Sequence, residues 1–215
     1  MNLKHLSSSF VIRCALFFVA VASGLHLIAH IYETETGRTL HALNLDSETS
    51  IGTWISVLLL ALSALIAYEL SFRKKNFKLQ WKLFAVFLLL LSIDDEASIH
   101  EASGDLVAAL SLPAIGGRNW IFAGLVVLAV AGVIFFNFMR KLPKRLLSQF
   151  ALGFGLFFLG AFVVEATTDG VANIANDIFG YGNRVAYAVW LEESLEMAGL
   201  FVIFRVLVLE LDRYK

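Results

Sequence analysis

Cysteine and proline are nearly absent from the sequence, which has one cysteine and two prolines among 215 residues. A single thiol excludes a disulfide framework within the chain and any zinc or iron–sulfur site built from several cysteines. Charge is also scarce. Only 16% of the residues are charged and 59% are hydrophobic, against roughly 25% and 45–50% in soluble domains. This composition excludes a disordered chain and a nucleic-acid partner, and it disfavours a soluble domain.

What the sequence has instead is long apolar runs. A bilayer core about 30 Å thick needs roughly 20 apolar residues in a helix. Six runs approach or reach that length, and polar segments separate them. The sequence therefore predicts an all-α, polytopic integral membrane helical bundle that forms a single domain over 1–215. Its six transmembrane helices are expected at about 10–32, 51–72, 83–101, 120–139, 147–168 and 185–211, with short further helices at Leu106–Leu112 and Val171–Phe179.

Lysine and arginine are concentrated at alternate ends of these predicted spans. Of the 17 basic residues, 14 lie at one set of ends, and Arg38, Arg118 and Arg184 lie at the other. Because cytoplasmic loops carry the excess of basic residues, both termini are predicted to be cytoplasmic, in a plasma (bacterial inner) membrane. Of the 18 acidic residues, 15 lie towards the outer side. A cleaved signal over Met1–Ala22 is an alternative that would leave five spans in the same orientation.

Ionisable residues lie within four of the predicted spans, where each costs about 2.5–3.5 kcal/mol on insertion scales. Such residues are expected to be functional or paired, and here they fall at similar depth in the outer half of the bilayer. The spacing of four residues between His26 and His30, and between Glu192 and Glu196, places each pair on one helical face. The candidate metal ligands are His26, His30, Asp95, Glu96, His100, Glu193 and Glu196, and the candidate catalytic residues are Glu192 and Asp94.

Simpler roles are open for several of these residues. The two histidines of the first span could form interhelical hydrogen bonds. The acidic stretch around Asp94 could lie beyond the end of its span and face water. Glu165 and Asp169, four residues apart, are expected to be a helix-end pair that faces water. The second and fourth spans, which carry little charge, are expected to be scaffold or lipid-facing.

Carboxylates gathered at low dielectric need protons or cations, and few basic side chains are available on that side. Mixed histidine and carboxylate ligands resemble, in chemistry, the di-metal sites of four-helix proteins. The spacing differs, since Glu96 and His100 are four residues apart instead of three. Zinc would accept His26, His30 and a carboxylate, whereas iron or manganese would suit a more carboxylate-rich set. Haem is disfavoured, because acids are unusual neighbours for its propionates.

The sequence favours a metal-dependent membrane hydrolase or oxidoreductase, in which Glu192 or Asp94 acts as base towards metal-bound water. The expected substrate is membrane-borne: a lipid, a quinone or a lipid-linked intermediate. Two other classes stay open. One is a proton or cation transport or relay protein that uses the same acids. The other is an accessory subunit whose acidic outer face docks a basic protein partner.

Overall fold

The computed structural model describes residues 7–45, 47, 49–112, 114–115, 118–168 and 184–214. Within these ranges the chain is helical and contains no strand, which confirms the all-α prediction. The helices are α1 (Ser8–Thr36), α2 (Ile51–Arg73), α3 (Lys78–Ala97), α4 (Ile99–Ala109), α5 (Trp120–Lys141), α6 (Lys144–Phe158) and α7 (Arg184–Asp212). A 3-10 turn at His41–Leu43 lies between α1 and α2, and a π-helical segment at Leu159–Val164 continues α6.

Four helices are long and apolar enough to cross a membrane: α1, α2, α5, and α6 together with its π segment. Many of their large apolar side chains face outwards. Phe17 on α1 is 62% exposed and Val133 on α5 is 80% exposed. Outward-facing apolar side chains are expected where lipid takes the place of water. α3 and α7, with 20 and 29 residues, are also long enough to span a bilayer core, but they carry charged residues that lower their apolar content.

α7 lies at the centre of the bundle, where it packs against α1, α2, α6 and the π segment. α2 pairs with α3, and α4 pairs with α5. Large buried aromatic side chains join α3, α5 and α6. The Phe84 ring lies 5.8 Å from the Phe135 ring and 5.5 Å from the Phe150 ring, between centroids. α3 is therefore held against α5 and α6 at this level by edge-to-face ring contacts, and not by a close approach of the helix backbones.

The contact between α6 and α7 is much closer and depends on glycine. A Cβ atom on Gly199 would lie 2.5 Å from both the Gly153 oxygen and the Phe157 nitrogen. A Cβ atom on Gly160 would lie 2.7 Å from the Glu192 oxygen. Small residues let the backbones of neighbouring membrane helices approach in this way. The two helices are therefore in direct backbone contact at both levels.

The basic residues meet at one end of the bundle, as their alternate spacing predicts. Lys74, after α2, forms an ion pair with Glu210 on α7, and Arg213 Nη1 lies 3.1 Å from Glu210 Oε2. The Lys74 ammonium group also lies 5.6 Å from the centroid of the Trp81 ring on α3. The ends of α2, α3 and α7 are thus joined by charged and aromatic contacts.

The predicted third span, 83–101, differs from the structure at its outer end. Ser98 has a positive φ of 48°, so α3 ends at Ala97 and α4 begins at Ile99. α4 starts earlier than the short helix predicted at Leu106–Leu112. The short helix predicted at Val171–Phe179 lies outside the described residues.

Adding one methyl group at Gly199 tests the α6–α7 contact. We expect Gly199→Ala to lower the free energy of unfolding by about 1–3 kcal/mol, because the new Cβ overlaps backbone atoms that cannot move independently. The measurement is thermal or denaturant unfolding of the purified protein in detergent. Gly155→Ala is the matched control on α6, since nothing lies within 4 Å of its added Cβ. Equal stability of the two variants would contradict the close contact.

Candidate functional site

Glu192, Glu193 and Glu196 lie within little more than one turn of α7, at the level where the π segment packs against it. Glu192 is only 9% exposed. A Cβ atom on Gly160 would come within 2.8 Å of Glu196 Cγ. Glu192 and Glu196 therefore start from a close part of the helix interface, where there is little room for their side chains to turn away.

The π segment directs Glu165 to the same place. The Glu165 N–H donates to the Gly160 oxygen, a hydrogen bond that spans five residues instead of the four of an α-helix. Gly160 faces α7, and the wider turn stacks Glu165 above it. In an α-helix, Val164 would occupy that position and Glu165 would be rotated by roughly 100°. Isolated π turns of this kind are rare in proteins, and many of those that do occur lie at functional sites.

Glu165 and Glu192 are close enough for the charge of Glu165 to act on Glu192. The charges of Glu192, Glu193, Glu165 and Asp95, the last from α3, all act on Glu196. We refer to these five acids, Asp95, Glu165, Glu192, Glu193 and Glu196, as the carboxyl cluster. Three helices contribute to it: α3, the continuation of α6, and α7.

One cation lies at the cluster among the described residues. Arg118 Nε is 3.0 Å from Glu165 Oε1, with 51% of the arginine side chain and 14% of the glutamate side chain exposed. The Arg118 charge also acts on Glu192. Backbone hydrogen bonds of 3.0 and 3.1 Å between Arg118 and Ile115 hold the segment before α5. Arg118 therefore covers the cluster from its water-accessible side.

The two histidines of α1 contact a loop and a neighbouring helix. His26 is 3% exposed, and its Nδ1 accepts a hydrogen bond of 3.0 Å from the Leu45 N–H. This bond holds the loop that follows the 3-10 turn against α1. The His30 ring packs edge-to-face on Tyr187 of α7, with centroids 5.2 Å apart. Its Nδ1 has no hydrogen-bond partner among the residues that the structure describes.

The break at Ser98 changes the arrangement of the acidic stretch. His100 Nδ1 lies 3.3 Å from Asp94 Oδ2, and the His100 ring is 5.0 Å from that of Trp120. Glu96, expected one helical turn from His100 on a continuous helix, has an exposed side chain. Asp169, expected to pair with Glu165, lies outside the described residues.

No group of three histidine, cysteine, aspartate or glutamate side chains in the described part of the chain has an arrangement that could hold a metal ion. The seven predicted ligands instead fall into different local environments. Asp95, Glu193 and Glu196 come together with Glu192, which was predicted as a base. The histidines have the loop and ring contacts described above. The metal assignment therefore stays a prediction without structural support.

A hydroxyl network near the cluster was not predicted from the sequence. Ser23 Oγ on α1 and Ser194 Oγ on α7 are 2.8 Å apart, and Trp190 Nε1 donates to Ser23 Oγ at 2.9 Å. Serines within apolar runs give little signal by themselves. The tryptophan two residues before Glu192 is the feature that could have drawn attention to this face of α7, because a buried indole N–H needs an acceptor.

No curated protein and no solved structure matches the chain. A family model described as "Domain of unknown function (DUF8692)" matches residues 9–211. The match includes the carboxyl cluster, Arg118 and nearly the whole of α1 and α7. The chain therefore belongs to the DUF8692 family.

Proposed function

We propose that this protein is a six-span integral membrane protein, with both termini cytoplasmic, in which the carboxyl cluster relays protons on the outer side. Four helices have the length and apolar character of spans. α3 and α7 are the other two, because each is long enough and packs against α2 within the bundle. The observation that carries the proton assignment is the close packing of the π segment, which leads to Glu165, against the turn of α7 that carries the nearly buried Glu192 and Glu196.

Charge balance supports protons as the counter-ions of the cluster. Two carboxylates both act as hydrogen-bond acceptors, so a hydrogen bond between carboxyl groups requires a proton on one of them. Like charges at this distance also oppose full ionisation of the pair. Arg118 can neutralise one of the five acids. A proton shared between Glu165 and Glu192 lowers the repulsion between these two acids and needs no further protein ligand.

The arrangement also gives the proton a direction of transfer. Arg118 is half exposed, Glu165 pairs with it, and the charge of Glu165 acts on the nearly buried Glu192. Glu165 thus lies between the accessible arginine and the buried acids. A proton taken up from outer water by Glu165 passes to Glu192 and then towards Glu196.

A divalent metal on the same carboxylates would make the protein the metal-dependent enzyme that the sequence favours. That function needs at least three ligands around one point, together with an open position for water or substrate. No such three-ligand group is found among the described residues, which favours protons. Metal analysis of the purified protein separates the two functions.

Cysteine labelling tests the proposed orientation. In a Cys14→Ser background, we expect Asp105→Cys on α4 to react with a membrane-impermeant maleimide added to intact cells. Lys75→Cys, between α2 and α3, should react only after the membrane is permeabilised. Both native side chains are exposed, so access of the reagent is set by the membrane. Labelling of Lys75→Cys from outside would contradict the orientation.

Infrared difference spectra between the native protein and Glu192→Gln test for the bound proton. At neutral pH we expect a carboxylic-acid C=O band from the native protein and the loss of about one protonated carboxyl in Glu192→Gln. The reason is that a glutamine amide donates its own N–H to Glu165, so no proton is needed between them. The matched control is Glu96→Gln, which removes an exposed acid and should leave the band unchanged.

Two results would contradict the proton assignment. One is the same protonated-carboxyl signal in the native protein and in Glu192→Gln. The other is stoichiometric zinc, iron or manganese in the purified native protein that is lost in Glu192→Gln and Glu196→Gln. The second result would return the cluster to the metal-dependent function.

A further inference from the structure

The opposite end of the bundle contains an open cleft of about 430 Å³ between the start of α1 and the last turns of α7. Its polar lining includes Ser8, Arg13 and Arg205, and its apolar lining includes Ile12 and Leu209. Asp212 also lines it, near the end of α7. The volume is within the range of sites that hold small molecules, about 300–1,000 Å³.

The two arginines of the cleft form no ion pair with a described residue. Ion pairs in the described part of the chain use Arg73, Lys74, Arg118 and Arg213. No carboxylate of the described residues lies at ion-pair distance from Arg13 or Arg205. Arg205 is half-buried on α7 and lines the cleft together with Ile12 and Leu209. A guanidinium group in such surroundings favours an anionic partner.

Phosphate is the anion that this lining matches best. Two guanidinium groups offer paired N–H donors to phosphate oxygens, and serine hydroxyl groups supply further donors. Ser8 and Ser9 belong to the first turn of α1, where backbone N–H groups have no partner within the helix. These donors add to the arginines. The first turn of α1 carries no acidic residue, and Asp212 is the one carboxylate among the described residues that line the cleft.

A phospholipid matches the mixed lining of this cleft better than a free phosphate ion does. Ile12 and Leu209 give the lining an apolar part, and exposed apolar side chains such as Leu16 and Phe17 follow Arg13 along α1. Acyl chains can lie on that surface while the headgroup occupies the cleft. Basic pockets at the cytoplasmic ends of membrane helices hold lipid headgroups in this manner.

We propose that the cleft between α1 and α7 binds the phosphate group of an anionic phospholipid of the inner leaflet, through Arg13 and Arg205. The proposal rests on the membrane orientation given above and is independent of what the carboxyl cluster does. A bound lipid would tie the start of α1 to the end of α7.

Native mass spectrometry of the full-length protein in a non-ionic detergent tests the proposal with phosphatidylglycerol as probe. The native protein should retain one phosphatidylglycerol molecule and should not retain diacylglycerol, which lacks the phosphate. Arg13→Gln and Arg205→Gln should each weaken retention about tenfold, the effect of one lost charge-assisted contact. Arg145→Gln removes an exposed basic residue at the same end and outside the cleft, so its retention should match the native protein.

Arg205→Lys keeps the charge and should retain most of the affinity. If Arg205→Gln does not fold, Arg13→Gln decides the matter, because Arg13 is exposed and its loss leaves no cavity. Equal retention by Arg13→Gln and Arg145→Gln would overturn the proposal. Retention of diacylglycerol at the level of phosphatidylglycerol would overturn the role of phosphate. Displacement of the lipid by an equal concentration of inorganic phosphate would overturn the lipid source.

Discussion

The backbone contact between α6 and α7 is the constraint on which the rest of the structure depends. At Gly199 one helix meets the backbone of the other, and at Gly160 the π segment meets the turn that carries Glu192 and Glu196. A side chain at either glycine would separate the helices and the acids together. Helix packing therefore holds the carboxyl groups close to one another, against a repulsion that the acids themselves would relieve by moving apart.

The two ends of the bundle handle buried charge in opposite ways. At the basic end Glu210 is 5% exposed and has two cations, Lys74 and Arg213. At the other end, among five acids, Arg118 pairs with Glu165 and its charge acts on Glu192. A buried acid with a full set of cations is satisfied and contributes to structure, because removal of one partner would leave the other unpaired. In the function proposed above, a bound proton takes the place of a second cation at the acidic end.

The sequence predicts what is local and misses what depends on contacts between distant residues. The helices form near the predicted positions because the length of an apolar run is a local property, and the alignment of Glu192 with Glu196 follows from their spacing. The break at Ser98 has neither glycine nor proline to announce it. Arg118 is 47 positions from Glu165, and the acceptor role of His26 depends on a backbone N–H. Residue types and spacings alone do not predict such partners.

The π segment determines which side chain of this helix faces α7 at the level of the cluster. A π turn is less favourable than the α-helical turn it replaces, so it persists where surrounding contacts compensate for it. Here the hydrogen bond from Glu165 to Gly160 brings an acidic side chain towards α7. In regular α-helical register Val164 would take that position and complete an apolar interface. The π turn instead directs a carboxyl group towards the turn of α7 that carries Glu192, and the proton relay proposed above gives this placement a role.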